Sequence, residues 1–302
     1  MVTKDQKTKA ETFLKLHTQK EILVLLNSWD PGSSKLVEAS GFKAVATTSM
    51  GISASLGYPD CQKIPFSEMM DAIAKIAGRV SIPVTADVEG GFGKNLDEIL
   101  SCIGKIIESG IVGINIEDSV NLSPKLVEIP EFCERLKAIR NLSDRLGFHL
   151  VINARTDGFL TSSGAPEGRL KHAIERGNKY REAGADCIFV PGIWSRDDIS
   201  ALIKEIAAPI NILANPTNAP SLPPSVAELE ELGVARLSLG ASVTKAALLL
   251  IKKIADELLT DGSYNTLSAS LTPLPEAVKA YAMATGIPGQ NSVPVVGNSS
   301  MP

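Results

Sequence analysis

Short apolar runs alternate with longer amphipathic segments through most of the chain. The runs are continuous and lack the alternation of apolar and polar residues that marks a strand with one face in water. They are therefore typical of a parallel sheet that is covered on both faces. We predict eight strands from these runs, over residues 21–27, 43–48, 82–86, 112–116, 149–154, 186–190, 210–214 and 235–239.

Amphipathic segments, with apolar residues three and four positions apart, separate the strands and predict helices. The predicted helices cover residues 4–19, 30–38, 65–78, 95–109, 131–146, 167–183, 195–207, 226–232 and 241–259, and residues 49–64 are left as turn and loop. Alternating strands and helices give a parallel sheet. Eight such units in one chain favour a (β/α)8 barrel of the TIM type over an open sheet. No dinucleotide-binding fingerprint follows the first strand, which also counts against a Rossmann fold.

We expect the chain to have two parts. Residues 1–262 form the barrel with its leading helix, and residues 263–302 form a Pro-rich tail with one short helix at 275–285. Terminal segments are poorly ordered unless something holds them. The last dozen residues are therefore expected to be disordered or to wrap around another subunit.

Composition and charge narrow the function classes. With 44% hydrophobic and 21% charged residues, the 302-residue chain has the make-up of a soluble globular protein. Its formal net charge of −4 provides no basic surface for nucleic acid, and no apolar run is long enough to span a membrane. The polar start of the chain lacks the apolar core of a signal peptide, and the four cysteines have no metal-binding spacing. We therefore expect a cytoplasmic protein with reduced thiols.

The stretch Val84–Gly93, with the sequence VTADVEGGFG, carries the strongest candidate chemistry. Asp87 and Glu89 are two residues apart at the end of a predicted strand, so their carboxylates point to the same side. They repel each other unless a cation lies between them, and Mg²⁺ is the simplest candidate, with Mn²⁺ as a substitute. The alternative is a solvated turn in which the Asp caps the next helix.

Polar side chains also follow other predicted strands, and in a barrel all of these positions meet at one mouth. The polar residues are Ser49, Asp60, Glu117, Asp118, Arg155, Asp157 and Asn215, and Met50 and Gly51 complete the turn that begins at Ser49. Several carboxylates around one arginine suggest a divalent cation together with an anionic substrate, because Arg155 can clamp a carboxylate through two hydrogen bonds. The Ser49–Gly51 turn could donate N–H groups and a hydroxyl to an oxyanion. Alternatively, Asp157 caps a helix, Asp60 belongs to a turn and Arg155 pairs with a carboxylate of the barrel.

Five segments, in chain order, carry a resemblance to the isocitrate lyase/phosphoenolpyruvate mutase superfamily. They are TTSMGISASLGYPD at 47–60, ADVEGGFG at 86–93, GINIEDS at 113–119, NARTDGF at 153–159 and LANP at 213–216. The resemblance covers the barrel from about residue 20 to 260. It implies a (β/α)8 barrel, Mg²⁺ and small 2-oxo or 2-hydroxy di- or tricarboxylate substrates. It also implies a homotetramer, built as a dimer of dimers that exchange the last barrel helix.

The same resemblance implies a metal site. Asp87 is similar to the principal metal-site carboxylate of the family. Asp60, Glu89 and Glu117 are similar to its supporting acids, which act mostly through water. Asp60 and Glu117 are also candidates for a catalytic base.

Substrate contacts are implied by the resemblance as well. The Ser49–Gly51 turn resembles the segment that holds the substrate carboxylate, and Arg155 resembles the arginine that binds it. Asn215 resembles a polar residue that contacts the substrate from the end of the seventh strand. Lys125 resembles the lysine of the gating loop that follows the fourth strand.

The chain departs from the family pattern at positions that supply a catalytic acid. Lyases of isocitrate and methylisocitrate carry a Cys in the gating loop and the mutases carry an Asn there, but this loop reads KLVEI, with Val127 at that place. The nearest cysteine, Cys133, falls in the next predicted helix. After the sixth strand, Val190–Gly192 offers neither the Glu nor the His of the family, and none of the three histidines falls at the mouth of the barrel.

These observations favour a Mg²⁺-dependent lyase or decarboxylase that acts on a small 2-oxo or 2-hydroxy di- or tricarboxylate. It would work through a metal-stabilised enolate and release pyruvate or a relative. One alternative is a phosphonate enzyme, either a phosphonomutase or a phosphonopyruvate hydrolase, and another is a barrel that has lost catalysis. A ketopantoate-type hydroxymethyltransferase fits the loop pattern less well. A Schiff-base aldolase is disfavoured because Lys125 is the only lysine that we place near a predicted strand end.

Overall fold

A computed structural model describes residues 2–119, 122–123, 125–214 and 224–271. In these ranges, nine parallel strands form one nearly closed barrel. They are β1 (Leu23–Leu25), β2 (Asn27–Ser28), β3 (Val45–Thr47), β4 (Val84–Asp87), β5 (Gly113–Glu117), β6 (Val151–Arg155), β7 (Cys187–Phe189), β8 (Ile210–Leu213) and β9 (Arg236–Ser238). The order around the sheet is β1-β9-β8-β7-β6-β5-β4-β3-β2, which confirms the predicted α/β barrel of the TIM type.

The seam of the barrel lies in the first predicted strand, which is divided at Leu26. β1 pairs with β9, whereas β2 pairs with β3. The buried side chain of Asn27 bridges this break. Its Nδ2 donates to Thr47 O at 2.8 Å, and its Oδ1 accepts from Leu239 N at 3.1 Å and from Gly240 N at 2.8 Å. One amide therefore joins the first strand region to the last.

Eleven helices lie in the described ranges. They are α1 (Lys4–Leu16), α2 (Pro31–Ala39), α3 (Ser49–Ser55), α4 (Phe66–Ala77), α5 (Leu96–Glu108), α6 (Ile129–Arg145), α7 (Pro166–Glu182), α8 (Arg196–Glu205), α9 (Val226–Leu232), α10 (Ser242–Thr260) and α11 (Asn265–Ser270). The nine predicted helices begin and end within three residues of these bounds. Polar caps define several of the ends: Asn95 accepts from Glu98 N at the start of α5, and Ser225 and Glu228 form a capping box on α9.

One helix near the predicted site departs from the sequence prediction. We predict turn and loop over residues 49–64, but Ser49–Ser55 forms α3, which Thr48 caps by accepting from Gly51 N. A Cβ at Gly51 would lie 2.5 Å from Thr48 Cγ2 and 2.6 Å from Thr244 Oγ1. Glycine therefore lets α3 pack closely against the start of α10. The helix is short and rich in serine, a residue that favours caps and turns, so its sequence pattern does not reveal it.

α1 covers the amino-terminal end of the barrel. The Gln6 amide donates to Ile107 O at 2.8 Å and to Ile111 O at 2.9 Å, which anchors α1 at the end of α5. Phe13 is fully buried, and a Cβ at Gly113 would lie only 2.7 Å from its ring. Because this end is sealed, the carboxyl ends of the strands provide the open face, where barrels of this type place their active sites.

The hydrophobic core lies between the strands and the helices that surround them. On α5, Ile99, Ile103, Ile106 and Ile107 are buried at the three- and four-residue spacing that the sequence shows. Burial of each such side chain stabilises the fold by roughly 1.5–3 kcal/mol. The core therefore holds the strands in register and fixes the positions of the residues at their ends.

The last two helices carry apolar side chains outward. On α10, Leu249, Ile251 and Leu259 are 62%, 63% and 87% exposed. α11 is not predicted from the sequence, and the predicted helix at 275–285 lies outside the described residues, so the division at residue 262 stays a prediction. In the part of the chain that the structure describes, no helix combines the length and the apolar character needed to cross a membrane.

Candidate active site

A cavity of about 250 Å³ lies at the carboxyl ends of the strands. Seven of the predicted site residues line it: Ser49, Met50, Asp60, Asp87, Glu89, Glu117 and Arg155. Gly51 is buried behind them in α3, and Lys125 is exposed and is not part of the cavity wall. Asn215 lies outside the described residues. The predicted carboxylates and the arginine therefore meet in one place.

Asp87, the last residue of β4, has both carboxylate oxygens oriented by hydrogen bonds. Its Oδ2 accepts from the Ser49 backbone N at 3.0 Å and from the Ser49 hydroxyl at 2.8 Å. Its Oδ1 accepts from Asn115 Nδ2 at 3.0 Å, and Asn115 in turn accepts from Asn153 Nδ2 at 2.9 Å. These hydrogen bonds hold the Asp87 carboxylate in one orientation, as a metal ligand would require. Contact between Ser49 and a substrate carboxylate stays a prediction, because both Ser49 donors go to Asp87 here.

Glu89 lies in the turn after β4, with a φ of 47°. Its side chain is buried, and Oε2 accepts from Gln62 N at 2.9 Å, but Oε1 has no hydrogen-bond partner among the described residues. Burial, followed by the charges of Asp87 and Asp60, raises the pKa of Glu89 to about 8. Burial and Asp87 also raise the pKa of Asp60. These repelling acids are the groups that a bound cation would stabilise.

Arg155, at the end of β6, is held between two carboxylates. Its Nη1 lies 2.8 Å from Glu117 Oε2, its Nε lies 2.5 Å from Asp157 Oδ1, and its Nη2 donates to Asp157 Oδ2 at 3.1 Å. Three of its five N–H groups are used in this way, so two remain for a ligand. Burial alone would lower the pKa of Arg155, but Asp157, Glu117 and Asp87 raise it. The alternative in which Asp157 caps a helix is wrong, because its carboxylate binds Arg155.

Asp118 supports the site from outside the cavity. Its Oδ1 accepts from Asp157 N at 2.9 Å, and its Oδ2 accepts from Arg176 Nη1 at 3.0 Å and from the Tyr180 hydroxyl at 2.7 Å. Arg176 also donates to Val127 O at 2.9 Å, and Val127 N donates to Asp118 O at 2.7 Å. This buried network ties Val127, in the predicted gating loop, to the end of β5.

Sequence reasoning missed several residues that line the cavity. They are Asn27, Cys61, Asn115, Phe189, Asn211, Arg236 and Lys245. Asn27, Asn115 and Asn211 interrupt apolar strands, which is a signal in the sequence, since a polar residue in a buried strand needs a partner. Lys245 lies in the first turns of α10, where no motif marks it. The sequence prediction considers only Lys125 as a candidate for a Schiff base, but Lys245 lines the cavity and Lys125 does not. Lack of a lysine in the site therefore does not count against a Schiff-base aldolase.

The donor set fits a hard divalent cation. Four carboxylates, from Asp60, Asp87, Glu89 and Glu117, line one cavity, and Glu89 Oε1 accepts no hydrogen bond from the residues that the structure describes. No three His, Cys, Asp or Glu side chains in the described ranges converge closely enough to form a complete ligand cage. Mg²⁺ does not require one, because it usually keeps several waters and binds one or two carboxylates directly. The residues present would therefore suit Mg²⁺, with Asp87 as the direct ligand.

Comparisons with known proteins show similarity over most of the chain. The family model for phosphoenolpyruvate phosphomutase matches residues 13–259. A 2-methylisocitrate lyase from Halalkalibacterium halodurans is 31% identical over 221 residues, which cover 71% of this chain and 69% of the lyase.

Two solved structures are similar over most of the chain. A Burkholderia cenocepacia protein, provisionally described as a lyase or mutase, has a TM-score of 0.84 and 32% identity, and the match covers 93% of this chain and 98% of that protein. A phosphonopyruvate hydrolase in complex with oxalate and Mg²⁺ has a TM-score of 0.75 and 26% identity, and the match covers 90% of this chain and 94% of the hydrolase.

Proposed function

Because the chain belongs to the phosphoenolpyruvate phosphomutase family, we propose that it is a Mg²⁺-dependent lyase or decarboxylase that breaks a carbon–carbon bond. Its substrate is a small 2-oxo or 2-hydroxy di- or tricarboxylate, and its product is pyruvate or a relative. The relatives include lyases and phosphonate enzymes, so an enzymatic role is common to them. The observation that carries the proposal is the convergence of Asp87, Glu89 and Arg155 on one cavity.

The chain's own residues suit this chemistry. Mg²⁺, when bound, would withdraw electrons from substrate oxygens next to the bond that breaks. Asp87 would hold the ion, and Ser49 keeps the Asp87 carboxylate in place. The unused N–H groups of Arg155 would bind a substrate carboxylate, while Glu117 and Asp157 fix the guanidinium.

Proton transfer distinguishes two reactions within this proposal. Loss of CO₂ from an acid such as oxaloacetate forms the enolate without a base, so binding and charge stabilisation are sufficient. A retro-aldol cleavage needs a base for the 2-hydroxyl, and Asp60 is the better candidate because Glu117 is held in an ion pair. Lys245 and Cys61 also line the cavity and are candidate proton donors, since Val127 cannot supply the acid.

The second candidate function is a phosphonate enzyme that moves or hydrolyses a P–C bond. The description of the family model and the likeness to a phosphonopyruvate hydrolase favour it. Both candidates use the same cation and the same arginine, so the substrate that is turned over decides between them.

We also propose that the protein assembles as a homotetramer. α10 exposes the apolar side chains of Leu249, Ile251 and Leu259, and we expect contact with other copies to cover them. The cytoplasmic location and the absence of nucleic-acid and membrane partners stay predictions from the sequence.

Pyruvate release, measured by NMR, tests the function. Oxaloacetate, isocitrate, methylisocitrate, dimethylmalate and phosphonopyruvate are each supplied with Mg²⁺ and with EDTA. Metal-dependent turnover of a carbon acid, lost in Asp87→Ala but kept in Asp97→Asn on the exposed face of α5, supports the lyase. Release from phosphonopyruvate alone supports the second candidate. If nothing is turned over and Mg²⁺ with oxalate does not raise the melting temperature, the barrel is not catalytic.

A further inference from the structure

The cavity extends to the base of the barrel, where Arg236 lines it. Arg236 is the first residue of β9, and its Cζ lies 5.9 Å from the centre of the Phe13 ring on α1. The residue is only 3% exposed. This cation therefore lies at the sealed end of the barrel, whereas Asp87 and Arg155 lie at the carboxyl ends of their strands.

Arg236 has few partners for a buried cation. Its Nη1 lies 3.4 Å from His17 Nε2, and its Nε has no hydrogen-bond partner within the described part of the chain. Among the described residues, no carboxylate lies within ion-pair distance of it, whereas Arg155 has two such partners. Burial lowers the pKa of Arg236 to about 10, which leaves the group charged at neutral pH. A buried charge without a counter-ion is unfavourable.

Asn211 adds a second free donor beside this cation. Asn211 and Arg236 are direct partners in the register between β8 and β9, and both line the cavity. Asn211 Oδ1 accepts from Ser238 Oγ at 3.2 Å, and its Nδ2 has no partner among the described residues. Buried polar groups nearly always have partners. Two adjacent donors, one of them charged, are therefore complementary to a bound acceptor with negative charge.

We propose that Arg236 and Asn211 form an anion-binding subsite at the base of the cavity, and that it takes one carboxylate- or halide-sized anion. The subsite goes beyond the proposed function, because it needs neither Mg²⁺ nor a reaction. The anion has two sources: a free inorganic ion, or the far carboxylate of a substrate whose other end binds Arg155. In the second case, the subsite selects substrates by their length and by the charge at their far end.

Bromide is the probe for this subsite, because its anomalous scattering locates it in a crystal. In crystals soaked with sodium bromide, we expect one bromide in the cavity beside the Arg236 guanidinium and the Asn211 amide. In solution, bromide should raise the melting temperature relative to methanesulfonate at equal ionic strength. Arg236→Gln should weaken bromide binding by about tenfold or more, whereas Arg236→Lys, which keeps the charge, should retain part of it. Arg79→Gln, which removes an exposed charge outside the cavity, should bind bromide normally.

A second measurement separates the two sources of the anion. Butyrate and succinate, and then pentanoate and glutarate, are titrated by calorimetry, so that each pair differs only in the second carboxylate. If the anion is a substrate carboxylate, the diacid of each pair binds more tightly and Arg236→Gln removes the difference. If the members of each pair bind alike while bromide still binds, the subsite takes a free inorganic ion.

The test does not depend on whether Arg236→Gln folds, because a second variant is available. If Arg236→Gln does not fold, Asn211→Ala supplies the comparison with the cation retained, and weaker bromide binding is expected. The proposal is wrong if soaked crystals hold only water at Arg236 and the wild type and the variants respond alike to bromide. None of these measurements needs turnover, so an inactive barrel with the subsite and an active lyase without it give different results.

Discussion

The backbone N–H and the hydroxyl of Ser49 donate to the same carboxylate oxygen of Asp87, at 3.0 and 2.8 Å. This pair of hydrogen bonds joins the first turn of α3 to the end of β4. It orients the carboxylate that we expect to hold Mg²⁺. Loss of a group that orients a metal ligand typically lowers metal affinity by about 10- to 100-fold.

We therefore expect Ser49→Ala to weaken Mg²⁺ binding by about tenfold, measured by calorimetry. Higher Mg²⁺ concentrations should restore part of any lost activity. Ser53→Ala is the matched control, because the Ser53 hydroxyl lies buried on the same helix and has no hydrogen-bond partner among the residues described by the structure. Equal Mg²⁺ affinities for the wild type and Ser49→Ala would show that the contact does not serve the metal site.

Glu89 should make the metal-free protein less stable as the pH rises. Its pKa is raised from 4.5 to about 8 in the folded protein. Below pH 4.5 this carboxyl group is protonated in the folded and in the unfolded chain. Between pH 4.5 and 8 the unfolded chain loses the proton while the folded chain keeps it, so the free energy of unfolding falls as the pH rises. Over this range, the free energy of unfolding should fall by a few kcal/mol through this group alone, on the order of 1.4 kcal/mol for each pKa unit.

Urea unfolding of Glu89→Gln and of the wild type, in EDTA and in Mg²⁺, tests this expectation. In EDTA at pH 8.5, the variant should have a higher free energy of unfolding in urea than the wild type, by about 2 kcal/mol or more. In saturating Mg²⁺ the gain should disappear, because the carboxylate is then compensated by the cation. Asp97→Asn replaces an exposed carboxylate on α5 by an amide, and it should change the free energy of unfolding neither in EDTA nor in Mg²⁺. A gain that persists in Mg²⁺ would contradict the placement of Glu89 in the metal site.

His17 should have the opposite pH dependence. Burial, together with the charge of Arg236, lowers its pKa from 6.5 to about 4. The unfolded chain takes up this proton near pH 6.5 but the folded chain does not, so stability is lost as the pH falls from 6.5 towards 4, by about 3 kcal/mol. Urea unfolding at pH 7 and pH 5 should show about 2 kcal/mol of this loss. His17→Gln, which does not titrate there, should lose less, and an equal loss in both proteins would refute the prediction.

Gly51→Ala should push α3 away from α10. The added Cβ would meet Thr48 Cγ2 at 2.5 Å and Thr244 Oγ1 at 2.6 Å, and neither belongs to a long, flexible side chain. We expect a loss of about 1–3 kcal/mol in urea unfolding, and lower Mg²⁺ affinity because Ser49 moves with the helix. A Cβ added at Gly168 on α7 would meet no atom of the described residues within 4 Å, so Gly168→Ala should be neutral or stabilising by up to about 1 kcal/mol. Similar results for both variants would argue against tight packing at α3.

Arg155→Lys should reduce substrate binding while keeping the charge. Lysine cannot reproduce the planar fork that contacts Glu117 and Asp157. Oxalate affinity in Mg²⁺, or kcat/KM once a substrate is known, should fall by at least about tenfold. Arg155→Ala should in addition destabilise the fold by about 3–5 kcal/mol, because two buried carboxylates lose their cation. Unchanged oxalate affinity in Arg155→Lys would show that Arg155 serves structure alone.

Most of the fold follows from the apolar pattern. A parallel strand that is buried on both faces needs an unbroken apolar run, and each helix needs an apolar stripe, so both leave periodic signals. The break at Leu26 leaves no periodic signal, because residues 22–26 are all apolar, and the polar Asn27 that follows marks a buried polar position but not a divided strand. That break depends on the side chain of Asn27, whose partner Leu239 is 212 residues away in sequence. α3 is missed for a different reason, since its serines favour turns as readily as a helix.

The site is predictable where residues follow strands and much less so elsewhere. Asp87 and Arg155 meet because parallel strands end at one mouth, which requires only the strand assignment. Arg236 and Asn211 lie inside strands, and the depth of the cavity below the mouth depends on α1 and on side chains from several strands at once. Lys245 lines the cavity from α10 and follows no strand. These contacts come from tertiary packing, which strand and helix periodicity does not encode.

The seam at Asn27 also affects the route by which the chain folds. Closing a loop of about 200 residues costs entropy before its end contacts form, so barrel closure should come late, after the intervening strands have paired. Until β9 has been synthesised, β1 and β8 each have an edge without a partner. Such edges pair readily with other chains. A nascent chain interrupted before residue 236 should therefore aggregate rather than persist as an open barrel.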